Sequence, residues 1–334
     1  MTEKSPGLIS PFVPPPWLKN GHAMTLYAWA KRRHFPELPA PERRMFKVTD
    51  DTTVAADCYW QPERAARPLL LALHGLESSS DAHYMRGLAS QALGRGWNAV
   101  LLNQRNCGGT ERLTPGLYHS GLTADPLAVM RELVDTDGMR DIGIVGYSLG
   151  GNLAIKIAGE LGASGSLPVR AAVAVSPTID LDVCVRAIER RANVAYQWNF
   201  VRNLRARMRR KVEAWPGAFD LAPLDRIWTI RAFDEQYTAP FHGFAGATDY
   251  YQKASALRVI DRIRIPALIL TAEDDPFVPG DQFRAAAIRE NPFVTARVEP
   301  WGGHCGFIAS KHAADPYWAE ASAAAFLEAA FPLR

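Results

Sequence analysis

Short apolar segments, each bounded by turn-forming residues, recur along most of the chain. Continuous runs of Val, Ile, Leu and Ala are what a parallel sheet requires when both of its faces are covered. Six strands of this kind are predicted, at residues 68–74, 97–103, 142–146, 170–175, 267–271 and 294–298. Two earlier segments, 44–48 and 54–60, predict a further pair of strands, although the alternation of apolar and polar residues in the second is imperfect.

Between the strands, apolar residues recur at helical spacing. This pattern predicts helices at residues 84–93, 126–134, 149–161, 282–288 and 317–330. Strand and helix signals that alternate in this way are typical of a doubly wound α/β sheet. The predicted fold class is therefore α/β, with a mostly parallel eight-stranded sheet flanked by helices.

One long interval interrupts the alternation. No strand pattern occurs from about residue 178 to residue 263, and aromatic residues are dense there. An insertion of that size after the sixth strand predicts a helical cap over the carboxyl ends of the strands, where ligands of open α/β sheets bind. We therefore predict an N-terminal arm packed on the core (1–42), a core (43–177 and 264–334) and a cap (178–263).

Composition excludes several classes of protein. The 334 residues, 48% of them hydrophobic, can bury a large core, and a net charge of only +3 gives no argument for a nucleic-acid partner. Cys58, Cys107, Cys184 and Cys305 form no CxxC pair, which argues against a thiolate zinc site or a disulfide framework. No signal peptide and no run of ~18 apolar residues is present, so we predict no transmembrane segment and a cytoplasmic location.

The segment Gly146-Tyr147-Ser148-Leu149-Gly150 lies between a predicted buried strand and a predicted helix. A serine on such a sharp turn has its hydroxyl lifted out of the sheet, and side chains at the flanking glycines would collide. The GxSxG pattern by itself is weak evidence. In this setting it predicts that Ser148 is a nucleophile.

A serine hydroxyl needs a general base, which in turn needs an orienting carboxylate. In hydrolases with this turn, the order along the chain is serine, acid, histidine. Two histidines near the C-terminus, His304 and His312, qualify as the base. We favour His304, because it lies in a glycine-flanked loop just past the last strand, whereas His312 lies in a polar stretch typical of a solvated surface.

Asp275 is the favoured acid. It follows a buried strand and precedes a proline, which restricts its backbone conformation. Asp274 and Glu273 compete for the role, and Asp180 or Asp182 after the preceding strand are further alternatives.

Attack on a carbonyl builds an oxyanion, which needs preorganised N–H donors. The expected donors are the backbone N–H groups of Leu149, directly after the serine, and of Leu76, in the loop after the third strand. His74 before that loop is interpreted as structural. The polar residues of the segment 103–109 are expected to brace loops.

Basic residues interleave with apolar ones over residues 200–212. The spacing predicts a basic amphipathic helix in the cap. It could favour an anionic lipid surface, as a peripheral membrane contact, or an acidic substrate. We interpret it as a solvated charged face.

Eight short segments together carry a family resemblance. They are Trp17-Leu18-Lys19-Asn20-Gly21-His22, His74-Gly75-Leu76-Glu77, Gly146-Tyr147-Ser148-Leu149-Gly150-Gly151-Asn152, Arg231-Ala232-Phe233-Asp234, Thr238-Ala239-Pro240, Tyr250-Tyr251, Glu273-Asp274-Asp275-Pro276-Phe277 and Gly302-Gly303-His304-Cys305-Gly306-Phe307. They resemble the YheT-type predicted hydrolases of the α/β-hydrolase superfamily, which are related to eukaryotic abhydrolase-domain lipases. The resemblance covers nearly the whole chain.

Membership would imply the α/β-hydrolase fold and a serine esterase or lipase without metal or organic cofactor. It would assign the triad roles to Ser148, to the acid of the Asp-Asp-Pro-Phe segment and to His304. The family often has glycine where this chain has Ser78 and Asn106, and these changes could reshape the loops beside the oxyanion site.

The predicted function is a carboxylic-ester hydrolase that works through a Ser148–Asp275–His304 triad and an acyl-enzyme. The aromatic cap suggests a small-molecule or lipid-like ester with an apolar acyl group as the substrate. Acyl transfer by the same triad is one alternative. A non-catalytic ligand-binding protein on the hydrolase scaffold is another, since a fold does not determine a function.

Overall fold

The computed structural model describes residues 9–332, and one eight-stranded sheet runs through this part of the chain. Its strands are β1 Glu42–Thr49, β2 Thr52–Tyr59, β3 Leu69–Leu73, β4 Asn98–Leu102, β5 Ile142–Tyr147, β6 Val169–Val175, β7 Ala267–Ala272 and β8 Val294–Glu299. Every predicted strand is present close to its predicted bounds. The predicted fold class is confirmed.

The strand order is β1-β2-β4-β3-β5-β6-β7-β8. β2 pairs antiparallel with β1 and with β4, and the other neighbours are parallel. After β3 the chain crosses to β4 on one side and then returns to β5 on the other. The order therefore reverses between β3 and β5, which is where open α/β sheets bind their ligands.

Alternate residues of the central strands face opposite layers of helices. Leu70 and Ala72 of β3 pack in the same cluster as residues of α2 His83–Leu93 and α11 Trp318–Ala330. Leu71 and Leu73 pack on the other face, against the helices that follow β4 and β5. Both faces are covered, which is why β3 reads as an unbroken apolar run without alternation.

The remaining helices are α1 Gly21–Ala30, α3 Ala124–Asp135, α4 Leu149–Leu161, α5 Leu181–Ile188, α6 Val194–Ala214, α7 Ile230–Phe233, α8 Ala239–Phe241, α9 Ala247–Ala254 and α10 Ala286–Arg289. Four of the five predicted helices correspond to α2, α3, α4 and α11. A π-helical segment, Asp234–Thr238, joins α7 to α8.

The predicted helix at residues 282–288 is wrong as a single helix. The structure has a 3₁₀ helix, Gly280–Arg284, followed by α10, and Ala285 between them is extended at φ −59° and ψ 144°. The Gln282 side chain holds the first turn, because it accepts the N–H of the distant Asp180 at 3.0 Å and donates to the carbonyl of nearby Pro279. The contact with Asp180 cannot be inferred from the local pattern.

Between β6 and β7 the described chain is helical, with α5 to α9 and short 3₁₀ turns. The division of the chain into arm, core and cap stays a prediction. No helix among residues 9–332 is long and apolar enough to cross a bilayer.

The basic stretch over residues 200–212 lies on α6, as the spacing predicts, but its interpretation as a solvated charged face is wrong for two of its basic residues. Arg207 and Lys211 are buried on the inner face beside Leu204 and Met208. Lys211 Nζ donates to Asn106 Oδ1 at 2.8 Å. Buried charges need partners of this kind, and sequence spacing does not reveal them.

Candidate active site

Ser148 lies on the turn between β5 and α4 with φ 55° and ψ −117°. A Cβ at Gly146 would lie 2.0 Å from the Gly150 carbonyl oxygen, and one at Gly150 would lie 2.1 Å from the Leu73 oxygen. Because both obstacles are backbone atoms, no side-chain rotation could relieve the clash. The flanking glycines are therefore required by the sharpness of the turn.

The strained serine is held from both sides. Its N–H donates to the Val175 carbonyl of β6 at 2.9 Å, and its own carbonyl accepts the Asn152 N–H of α4 at 3.1 Å. Such conformations persist only where their surroundings determine them. The sheet and the helix together thus hold the Ser148 side chain at the carboxyl end of β5.

His304 brings the predicted residues together. Its Nε2 is 2.9 Å from Ser148 Oγ, and its Nδ1 is 2.8 Å from Asp275 Oδ2. The aromatic ring of Phe277 packs on the imidazole with 4.1 Å between ring centroids. The three predicted triad residues form a continuous hydrogen-bonded chain.

Burial and backbone hydrogen bonds hold the Asp275 side chain in place. Its side chain is fully buried, and its Oδ1 accepts the N–H groups of Phe277 and Val278, both at 3.0 Å. One carboxylate oxygen is thus bound by its own loop, which leaves the other for the imidazole of His304.

The competing acids next to Asp275 have other partners. Asp274 Oδ1 accepts the Gly303 N–H at 2.9 Å, and so supports the backbone of the histidine loop instead of the imidazole. Glu273 forms a surface ion pair with Arg284.

The other candidate acids also have partners other than His304, and the second candidate base lies at the surface. Asp180 caps α5 by accepting the Val183 N–H at 3.3 Å, and Asp182 pairs with Arg231 at 2.7 Å. His312 is exposed.

The pKa of His304 is raised above its ordinary value. Burial by itself lowers this pKa, because it disfavours the charged imidazolium, but the neighbouring Asp275 carboxylate raises it, and the net shift is upward. The neutral imidazole is therefore a stronger base than a free imidazole.

The two predicted oxyanion donors border the same cleft as Ser148. A Cβ at Gly75, just before Leu76, would lie 3.3 Å from the Ser148 Cβ, so this loop packs directly against the serine. Leu149 opens α4, where a helix cannot satisfy its own N–H groups. Among residues 9–332, neither the Leu76 N–H nor the Leu149 N–H meets an acceptor.

A cleft of about 770 Å³, its open mouth included, adjoins Ser148. Most of its wall is apolar and comes from the segment between β6 and β7. These apolar residues are Leu181, Cys184, Val185, Ile188, Phe200, Leu204, Ile230 and Phe233. The apolar lining is typical of a site for an apolar ligand.

A small polar region interrupts this wall at the π-helical segment. The Asp234 carboxylate accepts the hydroxyls of Thr238 at 2.7 Å and of Tyr251 at 2.8 Å. Burial raises the pKa of Asp234 to about 6, against the effect of these two donors. Single π turns occur often at functional sites.

Residues interpreted from the sequence as supports for loops form hydrogen bonds and ion pairs with other parts of the protein. His74 Nε2 accepts the Gln104 N–H at 3.1 Å, and Arg105 pairs with Asp125 at 2.6 Å. Asn106, where the family often has glycine, adopts φ 65°, a conformation that glycine reaches most easily.

Thr25 of α1 is not among the site residues that the sequence predicts. Its hydroxyl accepts the His304 N–H at 2.8 Å, and a Cβ at Gly21 would lie 1.7 Å from the Asp274 carbonyl oxygen. Helix α1 therefore packs directly against the loops that carry Asp275 and His304. The Gly21 segment belongs to the family resemblance, and this was the available signal.

The comparison with known proteins agrees with the geometry. A family model described as the alpha/beta hydrolase fold matches residues 68–310. The protein YheT of Escherichia coli (strain K12), whose name is that of an esterase, is 35% identical over 92% of this chain and 90% of its own length. This chain belongs to the α/β-hydrolase family. The expected resemblance to YheT-type hydrolases is confirmed.

One further relative and one solved structure are also similar to this α/β hydrolase. A monoacylglycerol lipase of Saccharomyces cerevisiae is 31% identical over 73% of this chain and 55% of its own length. The solved structure of the Pyrococcus furiosus esterase Pf2001 covers 96% of this chain and 97% of its own, with a TM-score of 0.59 at 16% identity. At that identity the likeness is one of fold.

Proposed function

We propose that this protein is a serine carboxylic-ester hydrolase that forms an acyl-enzyme on Ser148. The observation that carries the proposal is the hydrogen-bonded chain from Ser148 through His304 to Asp275, at 2.9 and 2.8 Å. The relatives named as an esterase and as a monoacylglycerol lipase support the same reaction class.

In the acylation half-reaction, Ser148 Oγ attacks the ester carbonyl while His304 Nε2 takes the hydroxyl proton. Asp275 keeps the other ring proton on Nδ1 and stabilises the imidazolium. The developing oxyanion accepts the N–H groups of Leu76 and Leu149. As the C–O bond to the leaving alcohol breaks, the imidazolium protonates that oxygen and the alcohol departs.

Deacylation repeats these steps with water as the nucleophile. His304 takes a proton from the water, and the new oxygen attacks the carbonyl carbon of the acyl-enzyme. The bond to Ser148 Oγ breaks and His304 returns the proton to that oxygen, which releases a carboxylic acid. These steps use the side chains and backbone of the chain with no cofactor.

The lining of the cleft supports an apolar acyl group. The wall contributed by α5, α6 and α7 is mostly apolar and offers methylene groups little competition from polar atoms. A lipid-like or small ester with an aliphatic acyl chain fits this surface. A cytoplasmic location and a peripheral contact of α6 with anionic lipid stay predictions from the sequence.

A series of p-nitrophenyl esters from acetyl to palmitoyl tests the proposal. Each methylene that the cleft buries is worth about 0.8 kcal/mol, so kcat/KM should rise by up to roughly fourfold per CH₂ until the cleft is full. Product analysis should find the free carboxylic acid. If the protein hydrolyses none of the esters in the series, the proposal is contradicted. If an added alcohol reacts with the acyl-enzyme in place of water and gives a new ester, the result would indicate acyl transfer.

The pH dependence of kcat/KM provides a second test. His304 must be neutral to accept the serine proton, and its pKa is raised above 6.5 because Asp275 stabilises the imidazolium against the opposing effect of burial. We expect kcat/KM to rise with pH through a midpoint above 6.5 when it is measured from about pH 5 to about pH 10. A midpoint below 6.5 would show that another group limits the reaction.

A further inference from the structure

The loop after β3 is anchored on both sides of Leu76. Before it, the Gly75 N–H donates to the Tyr84 hydroxyl at 3.1 Å. After it, the Glu77 N–H donates to the Tyr118 hydroxyl, also at 3.1 Å. The Leu76 N–H between them meets no acceptor in the described chain. Its direction therefore depends on what holds its two neighbours.

Glu77 is in a conformation that needs support. Its φ of 56° lies in the left-handed region, which a residue with a Cβ disfavours. Its carboxylate turns back into the protein, where the side chain is 5% exposed and Oε1 accepts the Tyr118 hydroxyl at 2.9 Å. A strained backbone and a buried charge thus belong to the residue next to Leu76.

Arg207 of α6 supplies the opposite charge. Its Nη1 is 2.8 Å from Glu77 Oε1, its side chain is 4% exposed, and its guanidinium lies 4.5 Å from the ring centroid of Tyr118. Burial acts to lower the pKa of Arg207, but Glu77 and Tyr118 raise it above its ordinary value, so the group stays charged. Removal of one partner would leave the other charge buried and unpaired.

We propose that Arg207 is a positioning residue of the oxyanion site, whose ion pair with Glu77 holds the Leu76 N–H beside Ser148. The pair joins α6, an element of the cleft wall, to the loop that faces the serine. This inference rests on the proposed function, because it gives the Leu76 N–H a role in binding the oxyanion. Since Arg207 acts through Glu77, it should affect the transition state more than the binding of substrate.

Three variants test the pair: Arg207→Met, Glu77→Gln and the double variant. Arg209→Met is a matched control, because Arg209 lies on the same helix in an exposed ion pair with Asp225. For each protein, kcat and KM for one p-nitrophenyl ester are measured together with inhibition by an alkyl boronic acid. The boronic acid forms a tetrahedral adduct with the serine and reports on the oxyanion site, while far-UV circular dichroism confirms folding.

We expect Arg207→Met and Glu77→Gln each to lower kcat by roughly 10²-fold, as loss of an oxyanion donor does, with KM changed by less than about threefold. Boronic-acid inhibition should weaken in parallel. The double variant should lose less than the product of the two single losses, because it contains no unpaired buried charge. Arg209→Met should keep kcat within about twofold of the wild type.

Other results would overturn the inference. An unchanged kcat in Arg207→Met, or a raised KM with unchanged kcat and unchanged boronic-acid inhibition, would exclude a positioning role. If Arg207→Met does not fold, Glu77→Gln and Arg207→Lys decide the question, and wild-type kcat in both would refute the inference. A wild-type protein that hydrolyses no ester would instead refute the proposed function, whereas a Ser148-dependent esterase indifferent to Arg207 would refute this inference alone.

Discussion

Replacement of Ser148 by alanine should lower kcat for ester hydrolysis by roughly 10⁵-fold, because members of a triad act as a unit and no other group can form the acyl-enzyme. Residual turnover would come from the oxyanion site and from substrate binding. The substitution removes one oxygen atom from a position whose backbone is held by β6 and α4. The fold should therefore survive.

Steady-state kinetics on a p-nitrophenyl ester measure this loss, and a fluorophosphonate probe with peptide mass spectrometry identifies the labelled serine. The adduct should lie on Ser148 in the wild type and be absent from Ser148→Ala. Ser120→Ala is a useful comparison, since Ser120 borders the same cleft but bonds to the Tyr250 hydroxyl at 2.8 Å. It should lose far less activity. Near-wild-type turnover by Ser148→Ala would disprove the mechanism.

The second large effect is expected for Asp275→Asn, with a loss of about 10⁴-fold in kcat. The amide oxygen can keep the bonds from the Phe277 and Val278 N–H groups, which turns the NH₂ group toward His304. Facing a donor, His304 Nδ1 must become an acceptor, so the ring proton moves to Nε2. The imidazole then cannot take the proton of Ser148.

Asp274→Asn is the matched control, because it makes the same change at the neighbouring residue. Its amide oxygen can still accept the Gly303 N–H, so kcat should fall by less than about tenfold. Both variants are compared by kcat on the same ester and by thermal unfolding followed by circular dichroism. A larger loss in Asp274→Asn than in Asp275→Asn would reassign the acid.

Local features made most of the fold predictable. Each buried strand is an apolar run between turn residues, because a strand covered on both faces has no polar side to disrupt the run. The need for Gly146 and Gly150 was also predictable. A side chain at either position would clash with backbone atoms, which belong to the turn itself for Gly146 and to the end of β3 for Gly150. The prediction of a single helix at residues 282–288 was wrong because the local pattern does not contain the hydrogen bond between the Gln282 side chain and the distant Asp180 N–H.

The candidate site was predictable as a set of residue types in a chain order, and it was not predictable as geometry. Ser148 and His304 are 156 positions apart, and the 2.9 Å between their atoms depends on how β5, β6, β7 and β8 are placed side by side in the sheet. The choice between Asp274 and Asp275 likewise depends on the direction of each side chain. Two adjacent acids look alike in sequence, yet one bonds to the imidazole and the other to the loop backbone.

The sequence by itself determined the α/β class, the sharp turn at Ser148 and the chain order of the candidate acid and base, because each depends on local pattern or on family-wide motifs. The tertiary structure alone decided that Thr25 supports His304 and that Arg207 is buried against Glu77. The physical reason is that burial and partner choice arise between elements far apart in the chain. From the sequence, a basic residue on an amphipathic helix is interpreted as solvated. Only the packed structure shows that Arg207 is buried against an acidic residue of a distant loop.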